Sequence, residues 1–157
     1  GLCAGAQMLG RTVADPAGIE GPAGRVAGLG VLEIETEIGD EKTLREVSGL
    51  EVASGEAVRG YEMHMGRSTG AGLERPFLRL GGRAEGAVSA DGRVMASNLH
   101  GLFAADGFRH AFLNRIRARA ASGLDFEASV EATLDDLADH LEASLDLERL
   151  LEVARAR

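Results

Sequence analysis

Polar and apolar positions alternate most regularly in Val31-Leu32-Glu33-Ile34-Glu35-Thr36-Glu37-Ile38, where Leu32, Ile34 and Ile38 are separated by Glu33, Glu35 and Glu37. A period of two predicts a strand with one core face and one acidic face. No His or Asp is interleaved with the glutamates, so they read as a solvated face and not as a metal site. Further strands are expected over Thr43 to Val47 with Leu50 to Val52, over Val58 to Met65, and over Phe77 to Leu80 continuing past a Gly81-Gly82 turn. Between the apolar runs Ala87-Val88 and Val94-Met95, the Asp91-Gly92 pair predicts a hairpin with a type I′ turn. The chain then runs through Ala96 to Leu99 into His100-Gly101, where a strand should end.

Helical spacing replaces alternation from Asp106 onward. Phe108, Phe112 and Ile116 fall four apart with Leu113 beside them, predicting an amphipathic helix capped by Asp106, running to about Ala121 and broken by Gly123. A second helix carries Val130, Leu134, Leu137, Leu141 and Leu145, and Leu147, Leu150 and Leu151 continue its apolar stripe. His110 and His140 sit among charged neighbours on these helices and are taken as surface histidines. Near the start, Ala4, Ala6, Gln7, Met8 and Leu9 form a short helix that Gly10 ends, followed by the loop Asp15 to Gly21.

The chain has 157 residues, 45% apolar and 27% charged, which fits one soluble domain, and no apolar run approaches a membrane span. A net charge of -8 argues against a nucleic-acid surface, since phosphate backbones are bound by clustered Lys and Arg. One cysteine permits no internal disulfide, and a reducing cytoplasm is the expected location. The chain begins Gly1-Leu2-Cys3 with no initiator Met, and its first reactive group is the third residue, so it reads as a fragment. The 22 glycines lie mostly in the first hundred residues, which marks a turn-rich zone ahead of a helical one.

A lone cysteine is usually a small buried hydrophobe. Gly1-Leu2-Cys3-Ala4-Gly5, however, has the Gly-x-nucleophile-x-Gly spacing of a nucleophile elbow, the sharp strand-to-helix turn that presents a nucleophile. A helix starting at Cys3 would favour its thiolate, with the Ala4 N–H as oxyanion donor. His100, at a strand end before Gly101, is the candidate base. The pair points to a Cys/His nucleophilic enzyme and leaves the reaction open.

Gly1-Leu2-Cys3-Ala4-Gly5-Ala6-Gln7 resembles the signature of class I glutamine amidotransferases, in which the Gln four residues after the Cys helps bind glutamine, here Gln7. Asp15 to Gly21, Glu41-Lys42-Thr43, Gly60-Tyr61-Glu62-Met63-His64-Met65-Gly66, Asp91 to Val94 and Leu99-His100-Gly101-Leu102-Phe103 resemble the CobB/CobQ-like group, in particular the cobyric acid synthase family, as do the terminal leucine-rich helices. The resemblance implies an α/β fold with a flavodoxin-like sheet and flanking helices. Residues 1–122 would be the carboxy-terminal part of the amidotransferase domain, and 123–157 a helical tail packed on it. It also implies glutamine hydrolysis at Cys3 and His100, with Glu62 and His64 as further glutamine-binding candidates. The ammonia would serve a separate synthetase domain that uses ATP and Mg to amidate a corrinoid, adenosylcobyrinic acid a,c-diamide.

Most class I members place a Glu two residues after the catalytic His; this chain has Leu102, so the expected machinery is a dyad, as in the cobyric acid synthase group. Glu62 and His64 share a strand face and could instead form a polar surface while Tyr61, Met63 and Met65 pack the core. Arg67 and Arg93 could meet acidic ligand groups, but an isolated Arg is usually only a solvated charge. Alternatives are cobyrinic acid a,c-diamide synthase, the amidotransferase-like partners of cell-wall ligases, a non-catalytic binding module, and a thiol hydrolase sharing the elbow. As it stands, the stretch lacks the strand feeding the elbow and the second oxyanion donor, so the isolated 157 residues are expected to turn over little glutamine in a direct glutaminase assay.

Overall fold

The computed structural model describes residues 1–120 and 123–156. The chain divides into two units, Gly1–Ala120 and Ala121–Arg157. The boundary expected after residue 122 therefore falls where residues lie outside the described ones.

The first unit realises the alternating segment directly: Leu32, Ile34, Thr36 and Ile38 are buried, while Glu33, Glu35 and Glu37 are exposed. Ladder pairing begins only at Glu35, because residues 31–34 instead bend over the short helix α1 (Ala4–Met8), with the Val31 and Leu32 amides donating to the Leu9 carbonyl. The strands are β1 (Thr12–Asp15), β2 (Gly24–Ala27), β3 (Glu35–Glu51), β4 (Ala57–Thr69), β5 (Leu78–Leu80), β6 (Arg83–Glu85), β7 (Ala87–Val88), β8 (Met95–Ala96) and β9 (Leu99–His100). Thr43–Val47 and Leu50–Val52, expected as separate pieces, fall mainly within the single long β3.

The main sheet runs β2-β1-β3-β4-β9, with β5 on the far end of β3 and β6 on β5. β1 and β3 pair in parallel and the other ladders of this sheet are antiparallel, because short turns such as residues 52–56 and Gly81-Gly82 can only return the chain antiparallel. The architecture is mixed α/β, and among the described residues parallel pairing appears only at β1–β3 and at the bridge between Leu2 and Ser97. Between Glu37 and Lys42 the β3–β4 register shifts, and β4 answers the extra β3 residues with Gly66 at φ 82, where a side chain would meet the Glu37 carbonyl. The stretch Met63–Met65 of β4 lies directly beside this irregularity.

The hairpin of β7 and β8 exists, but its turn is not type I′. Ala87 pairs with Ala96 and Val88 with Met95, so the loop is longer than two residues. The Gly92 amide donates to Ser89, Gly92 alone takes positive φ, and the Ser89 hydroxyl bonds Asp91 and accepts from the Val94 amide. A serine ahead of Asp-Gly thus offers a side-chain closure that competes with the tight turn.

Two apolar clusters hold the unit together. One gathers Val58, Phe77, Leu78, Leu80, Leu99, Leu102 and Phe108, and the other Ala6, Leu32, Ile34, Ala87 and Ala96. Helix α2 (Asp106–Ile116) delivers Phe108 fully buried and Phe112 beside it, with Phe77 and Phe103 completing an edge-on aromatic group. The helix stops at Ile116, short of the expected end, and Ile116 is exposed. Asp106 lies inside its first turn, ion-paired with Arg109, and Ala105 occupies the cap. In the second unit, α3 (Phe126–Ser144) and α4 (Leu147–Arg155) start at Asp125 and Asp146, whose carboxylates accept from the amides of Ala128 and Arg149 as N-caps. No helix among the described residues is long and apolar enough to cross a membrane.

Three glutamates are buried in the first unit. Glu51 accepts from Arg115 and from the amide and hydroxyl of Ser54. Glu62 accepts from Arg45 at 2.7 Å and from Arg83 at 2.7 and 2.8 Å, which ties β4 to β3 and β6. For both, burial is the largest single influence and works to raise the pKa, but hydrogen bonds and charge from arginine, joined at Glu51 by the Ser54 hydrogen bonds, together outweigh it and hold the carboxyl below its ordinary value. Glu85 receives only the Ser97 hydroxyl at 2.7 Å and the Asn98 amide at 2.8 Å, and burial pushes its carboxyl up.

Two consequences are measurable in the full-length protein. Glu62 has a lowered folded pKa, so its contribution is present above the ordinary carboxylate range and is lost as pH falls through the folded value. Glu62→Gln should cost about 1–2 kcal/mol near neutral pH, a modest figure because both arginines are about half exposed, and the gap to wild type should close toward about pH 3 in denaturant titrations. At Gly60 a methyl would run into the His100 carbonyl across the β4–β9 pair, so Gly60→Ala should cost about 1–3 kcal/mol in the same titration.

Candidate active site

Cys3 adopts φ 52 and ψ -122, and it is the one non-glycine residue at positive φ among those described. A β-carbon in this region is sterically costly, and such strain persists only where neighbours enforce it. Here the Cys3 amide donates to the Ser97 carbonyl at 2.9 Å and the Ser97 amide to the Gly1 carbonyl at 3.1 Å, so residues 1–3 are clamped alongside 95–97 just before the chain turns into α1. The elbow needs a glycine on one side only. A side chain at Gly1 would collide with the Gly5 carbonyl and the Leu9 side chain, whereas Gly5 faces open space.

The strand that receives the elbow on residues 95–97 leads straight to His100. β9 pairs with β4 through Tyr61↔His100 and Glu62↔Leu99 only from Leu99 onward, so the β4 edge past Glu62 has no neighbouring strand on that side among the described residues. Alternate carbonyls on that edge point the same way. The Met63 carbonyl meets Cys3 Sγ at 3.4 Å and His100 Nε2 at 3.3 Å, and the Met65 carbonyl accepts from Gln7 Nε2 at 3.2 Å. Cys3, Gln7 and His100 therefore converge on one strand edge. A carbonyl can only accept, so in this arrangement Nε2 carries a proton and Cys3 donates as a thiol.

Around the elbow the Gly5 amide is taken by the Leu2 carbonyl and those of Ala6 and Gln7 by the Cys3 carbonyl. The Ala4 amide has no partner among the described residues, which leaves it available to an oxygen placed near Sγ. Leu102 is 1% exposed and packs in the cluster of Phe77 and Phe108, so the position two after His100 is part of the apolar core. A carboxylate there would be buried without a partner.

Glu62 and His64 are not joined to this cluster. Glu62 is spent on Arg45 and Arg83, on the face of β4 opposite Tyr61. Among the described residues no polar contact links His64 to Cys3, Gln7 or His100. Burial also inverts the alternative in which Tyr61 is core and Glu62 surface: Tyr61 is 42% exposed and Glu62 1%. Arg67 and Arg93 are exposed. Sequence reasoning passed over Tyr61, whose ring stacks on the His100 imidazole at 5.1 Å and 10°. The strand pairing that sets them opposite is not a local signal, although an aromatic residue on a candidate substrate strand was a hint. Among the described residues, no cluster of three or more His, Cys, Asp or Glu could hold a metal ion.

Comparison with known proteins agrees with this geometry. Residues 1–108 match the family described as the CobB/CobQ-like glutamine amidotransferase domain. The chain is similar to cobyric acid synthases: 56% identical over 155 residues to that of Rhodobacter capsulatus, 50% to that of Bradyrhizobium diazoefficiens and 53% to that of Methylocella silvestris. These alignments cover 98–99% of this chain and 32% of each relative, so the chain spans about a third of the length of the curated relatives it matches. With the family match extending over more than half its residues, the chain belongs to the CobB/CobQ-like glutamine amidotransferases.

Proposed function

We propose that Cys3 and His100 hydrolyse the side-chain carboxamide of glutamine and that the released ammonia amidates a corrinoid. The observation that carries this reading is the strained Cys3 conformation, which brings Sγ and His100 Nε2 onto the same Met63 carbonyl. Proton transfer from Sγ requires an unprotonated Nε2, hence a proton on Nδ1, with Nε2 exchanging the Met63 carbonyl for the neighbouring thiol. The thiolate attacks the carboxamide carbon, the Ala4 amide takes the developing oxyanion, and His100 returns the proton to the departing nitrogen. Water then cleaves the thioester, with His100 as base, and releases glutamate.

Gln7, held through Nε2 by the Met65 carbonyl, keeps its oxygen for the amino acid end of glutamine. Glu62 and His64 contribute through β4 itself, Glu62 by anchoring the carbonyl edge to β3 and β6. The flavodoxin-like, class I arrangement belongs to the complete domain in this reading. So do a synthetase domain using ATP and Mg, adenosylcobyrinic acid a,c-diamide as acceptor, and adenosylcobyric acid as product in cobalamin synthesis. The support is the kinship to cobyric acid synthases along this chain. A reducing cytoplasm suits an enzyme that relies on a free thiol.

In the full-length protein, Cys3→Ala should abolish glutamine-dependent amidation and leave ammonia-dependent amidation intact. Loss of both in a folded variant would contradict a separate ammonia-using site. A glutamine-like electrophile should label Cys3 in wild type, and excess glutamine should block the labelling. Labelling indifferent to glutamine would favour a non-catalytic module or a general thiol hydrolase.

A further inference from the structure

The histidine lacks the carboxylate that usually orients a catalytic imidazole, and the structure shows what stands near it instead. Leu102 is turned into the core. Of the buried glutamates on neighbouring strands, Glu62 is engaged by Arg45 and Arg83 on the other face of β4, and Glu85 by Ser97 and the Asn98 amide. Neither is free to turn to the ring. Tyr61 is directly opposite His100 in the β4–β9 ladder, and the two rings lie nearly parallel.

Resting on the glutaminase reading above, we infer that Tyr61 is the positioning residue for His100, holding the imidazole plane by stacking and favouring its protonated form in the thiolate–imidazolium pair. The stack occupies one face of the ring, so rotation about the Cβ–Cγ bond would break contact, while the edge carrying Nε2 stays directed at Met63 and Cys3. The negative face of an aromatic ring attracts a cation more than a neutral group, so the stack gains strength when His100 takes the Cys3 proton. An aromatic ring in this place needs no desolvated charge, and Tyr61 is 42% exposed without being left unsatisfied. The other ionisable groups around the ring pair are Cys3 from the elbow, Arg59 two positions earlier on the Tyr61 face of β4, Glu46 opposite Tyr61 on the same face of β3, and Glu62 and His64 on the opposite face of β4.

The test compares wild type, Tyr61→Phe and Tyr61→Leu in the full-length protein, following iodoacetamide alkylation at Cys3 by peptide mapping as a function of pH. At about pH 6.5, below the ordinary thiol range, Tyr61→Leu should slow alkylation about five-fold, whereas at about pH 10, where any accessible thiol is ionised, the three proteins should agree. Tyr61→Phe keeps a stacking face and should follow wild type throughout. Coincident profiles for all three, or a Tyr61→Leu loss of equal size at both pH values, would overturn the inference, the latter by showing a merely structural role. Thermal melts of each variant confirm folding. Glutamine hydrolysis is measured alongside: a wild type that alkylates with the stated pH dependence but turns over no glutamine would refute the glutaminase reading and leave the positioning role standing.

Discussion

The clamp between residues 1–3 and residues 95–97 is the constraint on which the site depends. Through it the Ser97 carbonyl fixes the amide of the strained Cys3, while the backbone carries on for three residues, from the end of β8 into β9, to His100. Cys3 and His100, the proposed nucleophile and base, lie 97 positions apart in the chain and are thereby placed by one short run of backbone. Ser97 is fully buried, and its hydroxyl bonds Glu85 and accepts the Leu99 amide, so the clamp is itself held from beneath. The Cys3 conformation survives because these bonds over-determine it.

Glutamates hold the surroundings in two different ways. Glu62 and Glu51 are ionised hubs that staple strands or a helix to the sheet through arginine, and their contribution is lost as pH falls through their lowered folded pKa values. Glu85 makes no ion pair among the described residues and titrates in the opposite direction: burial raises its folded pKa, so its contribution is greatest below the ordinary carboxylate range and declines as pH rises through the folded value. The carboxyl beneath the clamp therefore favours the folded state most when it is neutral, and the one anchoring the carbonyl edge when it is charged.

The open carbonyl edge of the candidate site exists because β9 is only two residues long and because the β3–β4 register breaks near Gly66. On the side of Leu99 away from His100, the Met63 and Met65 carbonyls lack a strand partner among the described residues and are answered by Cys3, His100 and Gln7. The exposed edge that most sheets must protect here becomes the floor of the site. Leu102 supplies the counterpart: the turn after His100 feeds the hydrophobic cluster, and orientation of the imidazole falls to the neighbouring strand.

Local sequence determined the features that local physics controls. The 31–38 alternation, the short helix after Cys3, the strand end at His100 and the helix bearing Phe108 and Phe112 all follow from periodicity and breakers, and the Gly-x-Cys-x-Gly spacing foretold the elbow. It misjudged Gly5, the Asp91-Gly92 turn and the Asp106 cap, where neighbouring backbone and side chains compete for the same hydrogen bonds. Tertiary structure alone decided that Glu62 would be consumed by Arg45 and Arg83, that Tyr61 would lie over His100, and that main-chain carbonyls would gather the site. Strand pairing and backbone acceptors are long-range properties, set by register across the sheet and carried by atoms that every residue shares, so no residue type announces them.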